Sequence, residues 1–257
     1  MKNIGRSLCV AFSMYSKIPV PQVEWTRESM KYCICFFPAV GAVIGAVTLI
    51  WNYLAGSILS GSPLFTAVLI LIPVLISGGI HLDGLLDTAD ALSSYKSKDE
   101  KLEILKDSHA GAFAIIVGIC WFVLDYGIYS EANTETLQVL AIGFILSRAL
   151  SGFGMVTFRM AKNTGLAATF SDMAVKGRVR LVMAGYILLC AAGMLSVSLV
   201  YGVAALAAAA LVFVWYRRMA YQKFGGITGD LAGFFLQNCE LAMAVCVITV
   251  KILLHSA

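Results

Sequence analysis

Residues 64–90 read LFTAVLILIPVLISGGIHLDGLLDTAD, and the way the apolar run Leu64 to Ile80 hands over to the acidic run His81 to Asp90 decides how the chain folds. The first part is long and apolar enough to cross a bilayer. Asp83, Asp87 and Asp90 follow at once. On a helix of about 3.6 residues per turn these three positions fall within an arc of about 60°, so the carboxylates share a face. Like charges on one face repel unless a cation joins them. A solvated helix end explains an arbitrary acidic triplet, but here the acids are interleaved with Leu82, Leu85, Leu86, Ala89 and Leu92. Acids beside a membrane are costly enough to mark function. Oxygen-only ligands suit a hard cation such as Mg²⁺, which takes carboxylates, water and substrate phosphate. The stretch reads as a metal site at a membrane surface, with Asp83, Asp87 and Asp90 as ligands. His81 reads equally as a ligand, a phosphate contact or an interfacial histidine.

The rest of the chain agrees with a membrane setting. Of its 257 residues 60% are hydrophobic and 13% charged, and the mean hydropathy is +0.84, which excludes an ordinary soluble domain. Apolar stretches run from Cys33 to Ala55, Leu64 to Ile80, Phe113 to Tyr129, Leu137 to Phe158, Leu181 to Val200, Val203 to Tyr216 and Leu231 to Leu254. The expectation is an all-α polytopic bundle of about seven spans, forming a single integral membrane catalytic domain over residues 1–257. The sixth stretch is short, and its boundary with the fifth is expected near Tyr201-Gly202. Lys2 to Tyr15 lacks a cleavage pattern and reads as an interfacial helix, not a secretory signal, with Ile18-Pro19-Val20-Pro21 as a stiff turn after it. The seven cysteines are scattered without metal-ligand spacing and read as free thiols.

Charge placement tests this division independently. Lys2, Arg6, Lys17, Arg27 and Lys31 precede the first span, and Lys96, Lys98, Lys101 and Lys106 follow the second. Arg159, Lys162, Lys176, Arg178 and Arg180 follow the fourth; Arg217, Arg218 and Lys223 follow the sixth. The intervening turns carry no basic residue. This alternation predicts a cytoplasmic N-terminus, an outward C-terminus and a site on the cytoplasmic face of the membrane. The net charge of +4 therefore reports topology, and nucleic acid is not expected as a partner.

The unusual polar groups collect on that same side. Lys98 to Gly111 reads as a charged amphipathic helix returning to the membrane, and Asp107, Ser108 and His109 stand where it meets the third span. Much of that charge needs only solvation. Arg148 lies inside the fourth span, where a lone guanidinium is costly, so it must face an acid, water or an anionic substrate. Arg159 comes eleven residues later, about three turns along nearly the same face. Two arginines on one stripe beside an acid-bound metal would suit a diphosphate. Gly225-Gly226-Ile227-Thr228-Gly229-Asp230 opens the last span, where flexible backbone and free N–H groups favour anions. Glycine is also common where loops enter membrane helices. Gln237 and Glu240 give that span a polar stripe expected to face the bundle interior.

Taken in order, Lys17-Ile18-Pro19-Val20-Pro21, His81-Leu82-Asp83-Gly84-Leu85-x-Asp87-Thr88-x-Asp90, Lys106-Asp107-Ser108, Ser147-Arg148 and Gly225-Gly226-x-Thr228-Gly229-Asp230 resemble the cobalamin synthase family, the adenosylcobinamide-GDP ribazoletransferases. The resemblance covers nearly the whole chain. It departs from the family pattern at His109, where arginine is usual, and at Gln237, where glutamate is usual. The resemblance implies a Mg²⁺-dependent transferase for substituted phosphate groups. A hydroxyl of α-ribazole or its 5′-phosphate attacks the cobinamide-side phosphorus of adenosylcobinamide-GDP, and GMP leaves. Adenosylcobalamin or its 5′-phosphate is formed. Asp83, Asp87, Asp90 and His81 are the expected catalytic groups. Arg148, Arg159, Asp107, Ser108, Gly225, Gly226, Thr228, Gly229 and Asp230 are the expected substrate and phosphate contacts. The resemblance also implies the cytoplasmic (inner) membrane of a prokaryote as the bilayer partner, and a homo-oligomer is compatible with this reading.

Two other functions share parts of the pattern. A CDP-alcohol phosphotransferase also splits a diphosphate with aspartate-bound metal, but its usual signature is not spelled here. A divalent-cation transporter also clusters acids in a polytopic chain, yet these acids and glycines gather at span ends, with little but Arg148 at mid-membrane.

Overall fold

The computed structural model describes residues 2–107 and 109–256. In chain order the helices are α1 (Lys2–Tyr15), α2 (Arg27–Met30), a 3₁₀ turn (Cys33–Phe36), α3 (Phe37–Leu59), α4 (Pro63–Ser77), α5 (Ile80–Ser93), α6 (Lys98–Ile104), α7 (Ala112–Ser130), α8 (Thr134–Thr157), α9 (Leu166–Met173), α10 (Lys176–Val197), α11 (Leu199–Lys223) and α12 (Gly229–Ser256). The only β pairing among the described residues is an isolated parallel bridge between Met160 and Ile227. Local chemistry sets several starts. Ser62 accepts from Phe65 N ahead of Pro63 in α4, Ser97 and Glu100 form a capping box on α6, and Asn133 and Thr136 form another on α8. Each satisfies backbone N–H groups that a helix start leaves without partners.

Among the described residues six segments are long and apolar enough to cross a membrane: residues 27–59, α7, α8, α10, α11 and α12. The pair α4 and α5 makes a seventh if counted as one broken span. At about 1.5 Å per residue, α8 is about 36 Å long, against a hydrocarbon core of about 30 Å. It is the most enclosed of them, packed by α3, α10 and α12. α7 and α10 lie outside it, and they turn Ile115, Ile119 and Val123, and Leu181, Leu188 and Leu189, outward. Large aliphatic side chains exposed along whole helices are what a lipid-facing surface requires.

Two sets of contacts define the ends of the bundle. At one end Asn52 Nδ2 donates to Thr134 Oγ1 at 3.2 Å, and Lys251 meets Glu131. At the other, Lys162 meets Glu103, Arg178 meets the Tyr32 hydroxyl, and Arg159 meets the Gly225 carbonyl. The polar motifs of the sequence collect at this second end. All seven cysteines are free.

Three boundaries differ from the sequence expectation. The fifth and sixth spans divide at Ser198, whose extended backbone (φ −155°, ψ 121°) separates α10 from α11. Tyr201 and Gly202 are buried inside α11, so that helix is long, and it carries Arg217 and Arg218 on its last turns. Hydropathy is continuous across Ser198 and gives no sign of the break. The charged segment after residue 98 is helical only as far as Ile104. The third difference concerns the deciding stretch itself. The apolar run does not continue straight into the acids: α4 ends at Ser77, and α5 leaves at 93° to it. Gly78 and Gly79 both take positive φ (66° and 79°), a conformation costly for any residue with a Cβ. Lys17 N donates to Ile76 O at 2.8 Å, and the Lys17 side chain lies over Gly78, so the chain after α1 straps this corner.

Candidate active site

Helix α5 buries His81, Gly84, Leu85, Thr88 and Ala89 and leaves Asp83, Asp87 and Asp90 on its other side, as their spacing requires. Its buried face crosses the start of α12. A Cβ on Gly84 would stand 2.6 Å from the Asp230 carbonyl, and one on Gly233 3.1 Å from the His81 carbonyl. Two glycines therefore let the backbones approach, which brings Asp230 to the acids of α5. Asp83, Asp230 and Asp90 all act electrostatically on Asp87. The carboxylates of Asp83 and Asp87 have no hydrogen bond or ion pair among the described residues, whereas Asp230 has the Thr228 hydroxyl at 3.4 Å.

Asp90 is placed differently from its expected role beside the other two. Its Oδ1 accepts from Ala114 N at 3.0 Å and its Oδ2 from Gly111 N. Both oxygens cap the start of α7, where free N–H groups and the helix dipole favour an anion.

Beneath this rim is a cavity of about 330 Å³. Asp83, Asp230, Gly229, Thr228, Lys106 and Lys162 supply its polar lining, and Tyr15, Phe37, Met155 and Phe170 its apolar lining. His81 lines the cavity and is not interfacial. It is 5% exposed, its ring lies 6.2 Å from that of Tyr15 and 5.5 Å from that of Phe37, and its Nε2 is buried without a hydrogen-bond partner among the described residues. A buried nitrogen left unpaired is costly and usually marks a place that a ligand completes.

The arginines do not form a stripe. Helix α8 ends at Thr157, Phe158 turns extended, and Arg159 leaves the helix axis. Its guanidinium donates through Nε and Nη2 to Gly225 O at 3.0 and 2.7 Å, and its backbone N–H donates to the Tyr221 hydroxyl at 2.7 Å. With Ile227 N on Arg159 O and Ala161 N on Ile227 O, both at 2.9 Å, it fixes the Gly225–Asp230 turn against the α8 to α9 connection. In that turn Gly225 has φ 82°, and the Thr228 hydroxyl accepts from Leu231 N at 3.2 Å, capping α12. Gly225, Gly226 and Arg159 thus shape the turn, while Thr228, Gly229 and Asp230 reach the cavity.

Arg148 is 1% exposed and its Nη1 donates to Glu240 Oε1 at 2.7 Å. The acid that Arg148 faces is thus a glutamate of α12. Asp107 lies outside the cavity, held by His109 through Nδ1 at 2.7 Å, which keeps its carboxyl below the usual carboxylate range. Ser108 falls outside the described residues.

Sequence reasoning passed over three features. Asp125, in α7, is buried beside Glu240; an acid within an apolar span was the available signal. Tyr15 and Phe37 carried no signal beyond hydrophobicity. Lys162 was read only as topological charge, and Lys106 as such charge and as part of the Lys106-Asp107-Ser108 motif, yet both donate to Glu103, at 2.8 and 3.0 Å. Those two ammonium groups, Lys162 first, hold the Glu103 carboxyl below its usual range.

The donor set around Asp87 is oxygen-only and largely free of internal partners, which is the chemistry a hard cation takes. As placed, no three of the described His, Cys, Asp or Glu side chains close on one metal position. A cation there would rest on two carboxylates and complete its shell with water and substrate oxygens, as Mg²⁺ commonly does.

Comparison with known proteins gives a consistent pattern. Residues 7–248 match the cobalamin-5-phosphate synthase family. A protein of Lachnoclostridium phytofermentans named adenosylcobinamide-GDP ribazoletransferase is 50% identical over 242 residues, covering 94% of this chain and 93% of that protein. Proteins of the same name from Clostridium botulinum and Geobacillus are 32% and 31% identical, over 97% and 93% of this chain and 100% and 94% of theirs. No solved structure matches.

Proposed function

The chain belongs to the cobalamin-5-phosphate synthase family, and from that premise we propose that it joins α-ribazole, or its 5′-phosphate, to adenosylcobinamide-GDP with release of GMP. It is a membrane transferase of cobalamin biosynthesis. The observation that carries the reading is the close crossing of Gly84 on Asp230, which gathers carboxylates from two distant parts of the sequence at the rim of one cavity.

The chemistry follows from that arrangement. A ribazole hydroxyl forms a bond to the cobinamide-side phosphorus while the bond from that phosphorus to the oxygen of GMP breaks. Mg²⁺ would be held by two carboxylates drawn from Asp83, Asp87 and Asp230; with both its oxygens on the α7 N-terminus, Asp90 contributes field and rigidity. When bound, the cation neutralises charge on the diphosphate and its leaving oxygen. His81 lines the cavity, its Nε2 has no hydrogen-bond partner among the described residues, and it is the residue we assign to take the proton of the attacking hydroxyl. Thr228 and Gly229 offer backbone at the start of α12 for phosphate oxygens. Tyr15, Phe37 and Met155 give an apolar lining suited to the flat base of the ribazole. The basic residues collected at this end of the bundle support a cytoplasmic orientation for it.

The test is mass-spectrometric detection of GMP and a cobalamin product from purified protein given both substrates, with and without Mg²⁺. Turnover of CDP-linked lipid donors but not of adenosylcobinamide-GDP would overturn the assignment.

A further inference from the structure

We propose that Lys106 and Lys162 form a second phosphate site where they line the cavity, and that Glu103 holds this site shut until a phosphate displaces it. The proposal rests on the ribazole-transfer reading only for which phosphate arrives. Lys106 follows α6, and Lys162 lies in the connection from α8 to α9, so their side chains come from separate connections. They converge on one carboxylate. Lys162 Nζ donates to Glu103 Oε1 at 2.8 Å, and Lys106 Nζ lies 3.0 Å from both Glu103 oxygens. Both lysines line the cavity; Glu103 does not line it and is 63% exposed. A carboxylate shared between two ammonium groups occupies the place, and supplies the charge, of two phosphate oxygens.

Exposed ion pairs contribute little net stability, because water and side-chain freedom compete with them. Exchanging Glu103 for a phosphate is therefore easy, and a phosphate with three oxygens satisfies more of the six ammonium protons. The site is distinct from the rim around Asp87 in being cationic by itself, so it binds phosphate without a metal. Two sources carry that chemistry: the 5′-phosphate of the acceptor and the diphosphate of the donor.

Inorganic phosphate titrated into the purified full chain in detergent, with EDTA present to silence any metal-dependent site, tests the proposal. Phosphate should bind the wild type. Lys162→Gln and Lys106→Gln should each weaken binding by about tenfold, the cost of one charge-assisted hydrogen bond. Glu103→Gln should tighten it several-fold. If Glu103 merely ties two connections together, Glu103→Gln weakens phosphate binding as the lysine variants do, and the proposal fails; absence of binding to both wild type and Glu103→Gln also overturns it. Steady-state turnover then identifies the source. A rise in KM for Lys162→Gln confined to ribazole 5′-phosphate assigns the acceptor's phosphate, and a rise in the KM of the donor with either acceptor assigns the diphosphate. If no KM changes in either lysine variant, the site has no place in the reaction and the proposal is overturned. A wild type that binds phosphate as described but releases no GMP would instead sink the ribazole-transfer reading while leaving the anion site standing.

Discussion

Arg148 Nη1 and Glu240 Oε1 meet at 2.7 Å inside the bundle, joining α8 to α12 with both side chains almost wholly excluded from the surface. Ser147 Oγ donates to the same oxygen at 2.7 Å, and Arg148 Nη1 also reaches Phe144 O at 2.9 Å. Arg148 is thus neutralised by the packing of two central helices. It acts as a strut between them and makes no ion pair with the aspartates of α5 among the described residues.

Arg148→Met should cost about 3–5 kcal/mol, since it leaves Glu240 as a buried charge with no cation. Adding Glu240→Met should restore most of that loss. Unfolding in detergent micelles measures both. A normal unfolding midpoint for Arg148→Met together with lost turnover would return Arg148 to the substrate site.

Asp87→Asn should lower turnover by orders of magnitude while the protein still inserts and melts normally, because the carboxylate has no structural partner to lose. Normal activity of this variant at limiting Mg²⁺ would contradict its assignment to the cation.

Asp90→Asn should behave in the opposite way. Its two bonds to the start of α7 make it a cap, so about 1 kcal/mol of stability should go with it, and the Mg²⁺ concentration for half-maximal turnover should stay put. A rise in that concentration equal to the one in Asp87→Asn would make it a ligand after all.

Gly84→Ala tests the crossing that brings Asp230 to α5. The added methyl meets the Asp230 carbonyl at 2.6 Å, so the helices must part, at about 1–3 kcal/mol and with at least a tenfold fall in turnover. Gly127→Ala, where nothing lies within 4 Å, is the matched control. Equal activity of the two variants would show that this approach is not needed for catalysis.

Much of this was readable in the chain. Hydropathy and the alternation of basic residues found the spans, and the spacing of Asp83, Asp87 and Asp90 put them on one face of a real helix. Less local facts were hidden. The pair Gly78-Gly79 was read as part of the apolar run, and its two positive φ angles instead set the helix after it at a right angle. Glu240 lies 92 residues from Arg148, and an apolar span offers many faces on which such a partner could stand. Asp90 spelled a ligand because its spacing was right; what it binds depends on where Gly111 and Ala114 return to it. Arg159 lost its place on the stripe because helix α8 stops at Thr157, which no glycine or proline announces.

The cavity's volume limits what it can enclose. At about 330 Å³ it sits near the lower end of small-molecule pockets, room for a nucleoside with its flat base and far too little for a macrocycle. Under the proposed reaction the acceptor's base is therefore the part that goes inside, while the corrin ring of the donor stays outside the mouth and only its phosphates reach Asp83 and Asp230.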